Sequence, residues 1–194
     1  MTQIIDSIRA EYTRYRALAE RALEQVPAQM LGAPGLGGGN SLTVIAWHLA
    51  GNLRSRFTAF LTEDGEKPWR NREEEFEARV VSREELLVHW NAGWSALNDA
   101  LNALTDSDLQ RTVAIRGQPL RVHDALHRSL AHVSYHVGQI VYLAHAHRGA
   151  AWEYLSIAPG GSVAYNAAPS KETPGAHVAM LRDGESGRSG PPVD

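Results

Sequence analysis

VHDALHRSLAHVSYHVGQIVYLAHAH, residues 122–147, is the stretch whose reading decides the fold. It reads as one long helix, stopped by Arg148-Gly149. Within it lie two His-x3-His pairs, His123/His127 and His132/His136. Residues four apart project from one helix face, so either pair could grip a single ion. At about 100° per residue, His136 lies roughly 40° from His132. Ala125, Ser129, Gln139, Ile140 and Leu143 share that sector, which makes it the inward one. His123, His127 and His145 fall near the opposite side and are expected to face solvent. Val133 stands where a zinc-protease His-Glu-x-x-His motif needs glutamate, so that chemistry is excluded.

Working outward, three more amphipathic segments appear. Ile4, Ile8, Tyr12, Tyr15, Ala19, Ala22 and Val26 recur at steps of three and four, closed by Pro27. After a Gly-rich loop, Ser41 is a suitable N-cap for a helix carrying Leu42, Ile45, Leu49, Leu53, Phe57 and Phe60, ending before Asp64-Gly65. Ser82 and Glu85 form a capping box that opens a third helix through Leu86, Leu87, Trp90, Trp94, Leu97, Leu101 and Leu104. Thr112–Ile115 and Leu120–Val122 flank Arg116-Gly117-Gln118 as a hairpin signal. The fold class predicted is all-α: a four-helix bundle with a small β-hairpin before the fourth helix and an irregular C-terminal extension. Residues 1–166 are expected to form the domain. From Ala167 the composition turns to Pro, Gly, Ser and charge, and residues 167–194 are expected to be a disordered tail.

A His-x3-His pair alone makes a weak metal site, and the best third candidate is His48 in Ala46-Trp47-His48-Leu49-Ala50-Gly51-Asn52. It lies about 60° from Ile45, at the edge of the apolar stripe of the second helix. Ala46, Ala50 and Gly51 would permit close helix approach there. Two readings stand on the residues alone. Either the imidazoles hold an ion between facing helices, or they are core side chains with satisfied hydrogen bonds. The cost of desolvating four ring nitrogens side by side weighs against the second reading.

Composition narrows the chemistry. The chain has 194 residues, nine histidines, no cysteine and a formal net charge of −3. Absence of cysteine excludes disulfides, thiolate metal sites and a cysteine nucleophile. The balance of charge, with no basic patch interleaved with aromatics, gives no reason to expect nucleic acid. No apolar run is long enough to suggest a membrane partner, and the N-terminus does not read as a signal peptide. The expected location is the cytoplasm. No Gly-x-Ser-x-Gly elbow accompanies Ser129 or Ser134, which excludes a serine nucleophile.

Two segments together, Ala46–Asn52 and His132-Val133-Ser134-Tyr135-His136-Val137-Gly138-Gln139-Ile140, resemble the DinB/YfiT-like superfamily. Asp64–Arg72 and Leu155-Ser156-Ile157 with Gly160 and Ser162 resemble one uncharacterised branch of it. The resemblance covers about residues 1–166. It implies a four-helix bundle, commonly dimeric, in which His48, His132 and His136 bind one divalent metal. Some members of the superfamily are metal-dependent transferases joining a low-molecular-weight thiol to an electrophile, others resemble maleylpyruvate isomerases, and many have no established activity.

Three imidazoles leave coordination positions open, as catalytic zinc sites do. An ion there could acidify water or bind a thiol, whose sulfur would have to arrive with the substrate. The expected function is thus a metal-dependent enzyme on a small molecule, transferase-like or hydrolase-like. The alternatives are a non-catalytic metal or small-molecule binder, such as a stress-response protein, and a structural dimer. Imidazole accepts zinc, nickel, iron and copper alike, so the donors do not choose the metal. No carboxylate beside the histidines reads as a general base. Gln139 shares their face, and with Asn52, Arg54 and Trp69 is a candidate to touch substrate or orient a ligand. Arg56, Arg70 and Arg72 could join a carboxylate pocket, but surface pairing with Glu73-Glu74-Glu75 is preferred for Arg70 and Arg72. Trp47 reads as packing. A homodimer is expected, although the apolar faces with Trp90 and Trp94 serve a monomer core equally well.

Overall fold

A computed structural model describes residues 3–183. Its frame is four long helices: α1 (Ile4–Gln25), α2 (Leu42–Phe57), α3 (Arg83–Ala103) and α4 (Val122–Arg148). α1 packs on α4, α2 packs on α3, and α2 also borders α4. The last pairing brings the histidine-bearing helices together. No helix among the described residues is long and apolar enough to cross a membrane.

Local chemistry sets the helix ends. The Ser41 hydroxyl accepts from the Val44 amide at 3.2 Å, and Ser82 accepts from Glu85 at 3.1 Å. At the start of α1 the cap comes from far along the chain: both oxygens of Asp106 accept, from Ile4 N at 3.0 Å and Ile5 N at 2.9 Å. That anchorage turns Ile5 into the core and leaves Ile4 60% exposed, while Ile8, Tyr12, Ala19, Ala22 and Val26 of the expected stripe are buried. α2 stops at Phe57 rather than running on through Phe60, because Ala59 adopts a left-handed φ of 49° that no α-helix continues. Phe60 stays buried by folding back beside Phe57, with ring centroids 5.1 Å apart.

The core runs the length of the bundle. Trp90 and Trp94 are fully buried with centroids 5.4 Å apart, and Trp90 Nε1 donates to Glu20 at 3.0 Å. The chain's own core therefore consumes the aromatic face that might have served a second copy. Tyr12 is equally buried and donates to the carbonyl of Leu126 at 3.0 Å, tying α1 to α4.

β1 (Thr112–Ile115) and β2 (Gln118–Arg121) pair antiparallel around Arg116-Gly117, both at positive φ. Asp64 pins this turn, accepting from the amides of Arg116 at 2.8 Å and Gly117 at 2.7 Å. The hairpin is thereby fixed against the loop that follows α2.

The C-terminal region departs from expectation. α5 (Ser162–Ala167) straddles the expected domain edge at 166, and Pro174–Asp183 is a helix, α6, packed on α1. Val178 and Leu181 are buried, and the buried His177 ring meets the Leu155 carbonyl at 2.8 Å. Averaged composition across residues 167–194 hides this short apolar patch. Residues 184–194 of the expected tail lie outside the described residues.

Candidate metal centre

His132 and His136 project from α4 toward α2, where His48 meets them. The three offer ring nitrogens that all lie within 4.8 Å of one another. His132 Nε2 is 3.4 Å from His48 Nε2 and 3.1 Å from His136 Nε2. A tetrahedral zinc with Zn–N near 2.0–2.1 Å separates its ligand nitrogens by about 3.3 Å. Both distances from His132 already match that spacing.

The outer nitrogens show why the inner ones want a cation. His48 Nδ1 stands 2.8 Å from Glu75 Oε2, and His136 Nδ1 stands 2.8 Å from Gln139 Oε1. Both oxygens are acceptors, so both Nδ1 atoms carry the proton and both Nε2 atoms present lone pairs. His132 Nε2 faces two lone pairs and can donate to only one. His132 Nδ1 is buried without a partner among the described residues. Burial, and the neighbouring His136 and His48, lower the His132 pKa to about 3; burial likewise lowers that of His136. A neutral imidazole is the form that ligates a metal. The donor set therefore fits one divalent ion.

Glu75 is the residue that sequence reasoning missed. Of the run Glu73-Glu74-Glu75 only it is buried, at 6% exposure. Arg70 grips it in a bidentate fork, Nε to Oε1 and Nη2 to Oε2, both at 2.8 Å. Burial alone would raise the Glu75 carboxyl pKa, but the hydrogen bonds from Arg70 and His48 outweigh it and hold the group below the usual glutamate range. The surface pairing preferred for Arg70 is thus corrected: its side chain is 2% exposed and its partner lies inside. Arg72 does pair at the surface, with Glu73 at 3.0 Å. Phe76 closes the site behind His48, with ring centroids 4.5 Å apart.

The other candidates separate by helix phase. Asn52 and Arg56 follow His48 by about 40° and 80° around α2, whereas Arg54 follows by about 240°. Asn52 and Arg56 accordingly line a cavity with His48 and His132, while Arg54 turns away and lies over the ring of Trp69 at 4.9 Å. Trp69 is 51% exposed, and neither of that pair lines the cavity. Gln139 Oε1 meets His136 Nδ1 at 2.8 Å, and its side chain does not line that cavity. Trp47 packs as expected, stacked on His89 at 3.8 Å under Arg79. His123 bonds the Leu109 carbonyl at 2.9 Å and His145 stacks on Trp152 at 5.1 Å, both outside the cluster.

Glycine 51 makes room for this arrangement. A Cβ there would sit 2.3 Å from Glu75 Oε1, so even one methyl must push the carboxylate off His48. Partners of metal-binding histidines contribute about 10- to 100-fold in metal affinity. Gly51→Ala and Glu75→Gln are each expected to weaken divalent-ion binding within that range while the protein stays folded. Competition titration with a chromophoric chelator measures it, and unchanged affinity in both variants would sink the assigned role of Glu75.

The family model described as "Protein of unknown function (DUF1572)" matches residues 1–161. Among solved structures, a DinB-like protein from Bacillus cereus ATCC 10987 superposes with a TM-score of 0.55 at 18% identity. That match covers 74% of this chain and 92% of the other. No curated protein matches the sequence.

Proposed function

Because this chain belongs to the DinB-like DUF1572 family, we propose that its three histidines hold one divalent metal ion and that it is a metal-dependent enzyme acting on a small molecule. The observation that carries this reading is the cavity that opens beside His48 and His132. A structural site is closed by a fourth protein ligand, whereas a catalytic one keeps a side for substrate. Among the described residues, the only group of three or more His, Asp or Glu side chains close enough to share an ion is His48, His132 and His136. Glu75 is turned to the far nitrogen of His48, so it orients a ligand instead of completing the shell.

When bound, the ion supplies Lewis acidity that lowers the pKa of a thiol or a water. The chain's own residues do the rest. Glu75 and Gln139 fix the ring orientations, and Phe57 and Phe60 form an apolar wall of the cavity. With no cysteine in the chain, a thiol reaction would draw its sulfur from a low-molecular-weight cosubstrate. Transfer of such a thiol to an electrophile is the first reaction to test, and hydrolysis the second.

The experiment loads metal-stripped protein with zinc, nickel or iron(II) and assays small thiols with electrophiles, alongside ester and amide hydrolysis. Turnover is expected only with metal present, and is expected to fall to background in His136→Ala. Equal turnover by stripped protein or by that variant would overturn the reading. A tightly bound ion with no turnover across the panel would leave a binding protein in its place.

A further inference from the structure

The cavity beside the histidines has a volume of about 190 Å³. Drug-sized ligands occupy roughly 300–1,000 Å³, so this space takes a small molecule or one arm of a larger one. Its lining is lopsided in charge. Arg56, Arg70, Arg72, Arg116 and Arg128 all border it, and no Asp or Glu does.

The carboxylates standing behind these arginines are too few. Arg56 and Arg116 share Glu66, at 3.2 and 2.9 Å. Arg70 shares Glu75 with His48, and its Nη1 lies 3.8 Å from Glu66, beyond hydrogen-bond reach. Arg72 is paired only with exposed Glu73, and Arg128 makes no ion pair among the described residues.

Arg70 carries the argument furthest. Its side chain is 2% exposed, and Nη1 is buried with no hydrogen-bond partner among the described residues. Nε and Nη2 are spent on Glu75, which leaves Nη1 on the other edge of the guanidinium. An unbonded N–H on a buried cation is costly unless water or a ligand supplies the acceptor. Burial, with the like charges of Arg70 and Arg116 adding to it, also lowers the Arg56 pKa against the pull of Glu66. The site holds more positive charge than its own carboxylates settle.

We infer that the cavity binds the anionic arm of the substrate, a carboxylate or a phosphate, between these arginines, with the reacting end at the histidine cluster. The assignment of the arm to a substrate rests on the enzyme reading above. The presence of an anion site does not. Phe57, Phe60, Ile115 and Ala125 supply the apolar part of the lining, which suits a short carbon chain between the anionic group and the reacting end. Guanidinium groups hold either oxyanion through paired N–H donors, so the shared chemistry is a planar or tetrahedral oxyanion on a short stem.

Calorimetric titration of the metal-free protein tests the anion site without the metal. The probes are butyrate, inorganic phosphate and butyramide, the last being a neutral match for the acid. Saturable binding of butyrate or phosphate is expected, with butyramide at least tenfold weaker, and with affinity falling as salt rises. Whichever anion binds more tightly identifies the source. Arg128→Gln is expected to lose about tenfold, as one charge-assisted hydrogen bond requires. Arg148→Gln, an exposed arginine at the far end of the same helix, is expected to change nothing. Butyramide binding as well as butyrate, or equal loss in both arginine variants, would overturn the inference. If the stripped protein binds the anion but no metal restores turnover, the enzyme reading fails and the anion site stands. If turnover appears but acids and their amides react alike, the anion site fails and the enzyme reading stands.

Discussion

His132→Ala is expected to leave a folded protein that no longer keeps a divalent ion, with affinity down about 100- to 1,000-fold. The size follows from dividing a four-ligand zinc site worth roughly 10–16 kcal/mol among its donors, at 1.4 kcal/mol for each factor of ten. His132 is the central member of the cluster, since its Nε2 lies within 3.4 Å of both other rings. Removing it separates the remaining two donors onto different helices. Direct chelation could also fail because the protein unfolds, and the metal-free state distinguishes the two causes. In that state His132 is a partly buried imidazole with an orphaned Nδ1, so its loss relieves a desolvation cost. Alanine is also the better helix former. The metal-free variant should therefore melt at or above metal-free wild type, while the metal-loaded wild type melts above both. Elemental analysis after purification and thermal unfolding with and without chelator read both quantities. Wild-type metal content in His132→Ala would refute the assignment.

The legible part of this site was the part governed by helix geometry. The spacing of His132 and His136 and their shared sector with Ile140 follow from a fixed rotation per residue, whereas the same rule, not applied to α2, left Arg54 grouped with Asn52. Four helices and a hairpin could be read from the same local rules. Glu75 was not legible because it sits in an irregular connection, where no period says which of three adjacent glutamates turns inward. The apolar Phe76 beside it was the one local hint. Arg70 was misplaced for the same reason, since a cation five residues from an acid reads as a surface pair until the acid is known to be buried. α6 was hidden by averaging, because Val178 and Leu181 are few among polar and small neighbours and find their partner only on α1. In each case the decisive contact is long in sequence or bends through a loop.

The second large effect lies at the crossing of α2 and α3. A Cβ on Gly93 would come 2.4 Å from the Ala50 carbonyl oxygen and 2.7 Å from its Cα. Both are backbone atoms, so no side-chain rotation relieves the overlap and the helices must part. Gly93→Val is expected to cost about 3 kcal/mol or more, at the top of the range for overpacked cores. For a chain of this size that lowers Tm by roughly 6–12 °C. The cost should extend to the metal, because Ala50 is two residues from His48 and shifting α2 moves that ring away from α4. Two other glycines calibrate the effect. Gly51→Ala clashes with only the tip of Glu75, so its effect should show in metal affinity more than in Tm. Gly138 lies on the open face of α4, where a Cβ meets nothing within 4 Å. There alanine should stabilise by up to about 1 kcal/mol through helix propensity alone. Thermal unfolding of the three variants, each metal-free and metal-loaded, gives the comparison. If Gly93→Val melts with wild type, the close crossing that sets His48 against His132 and His136 is not how this bundle packs.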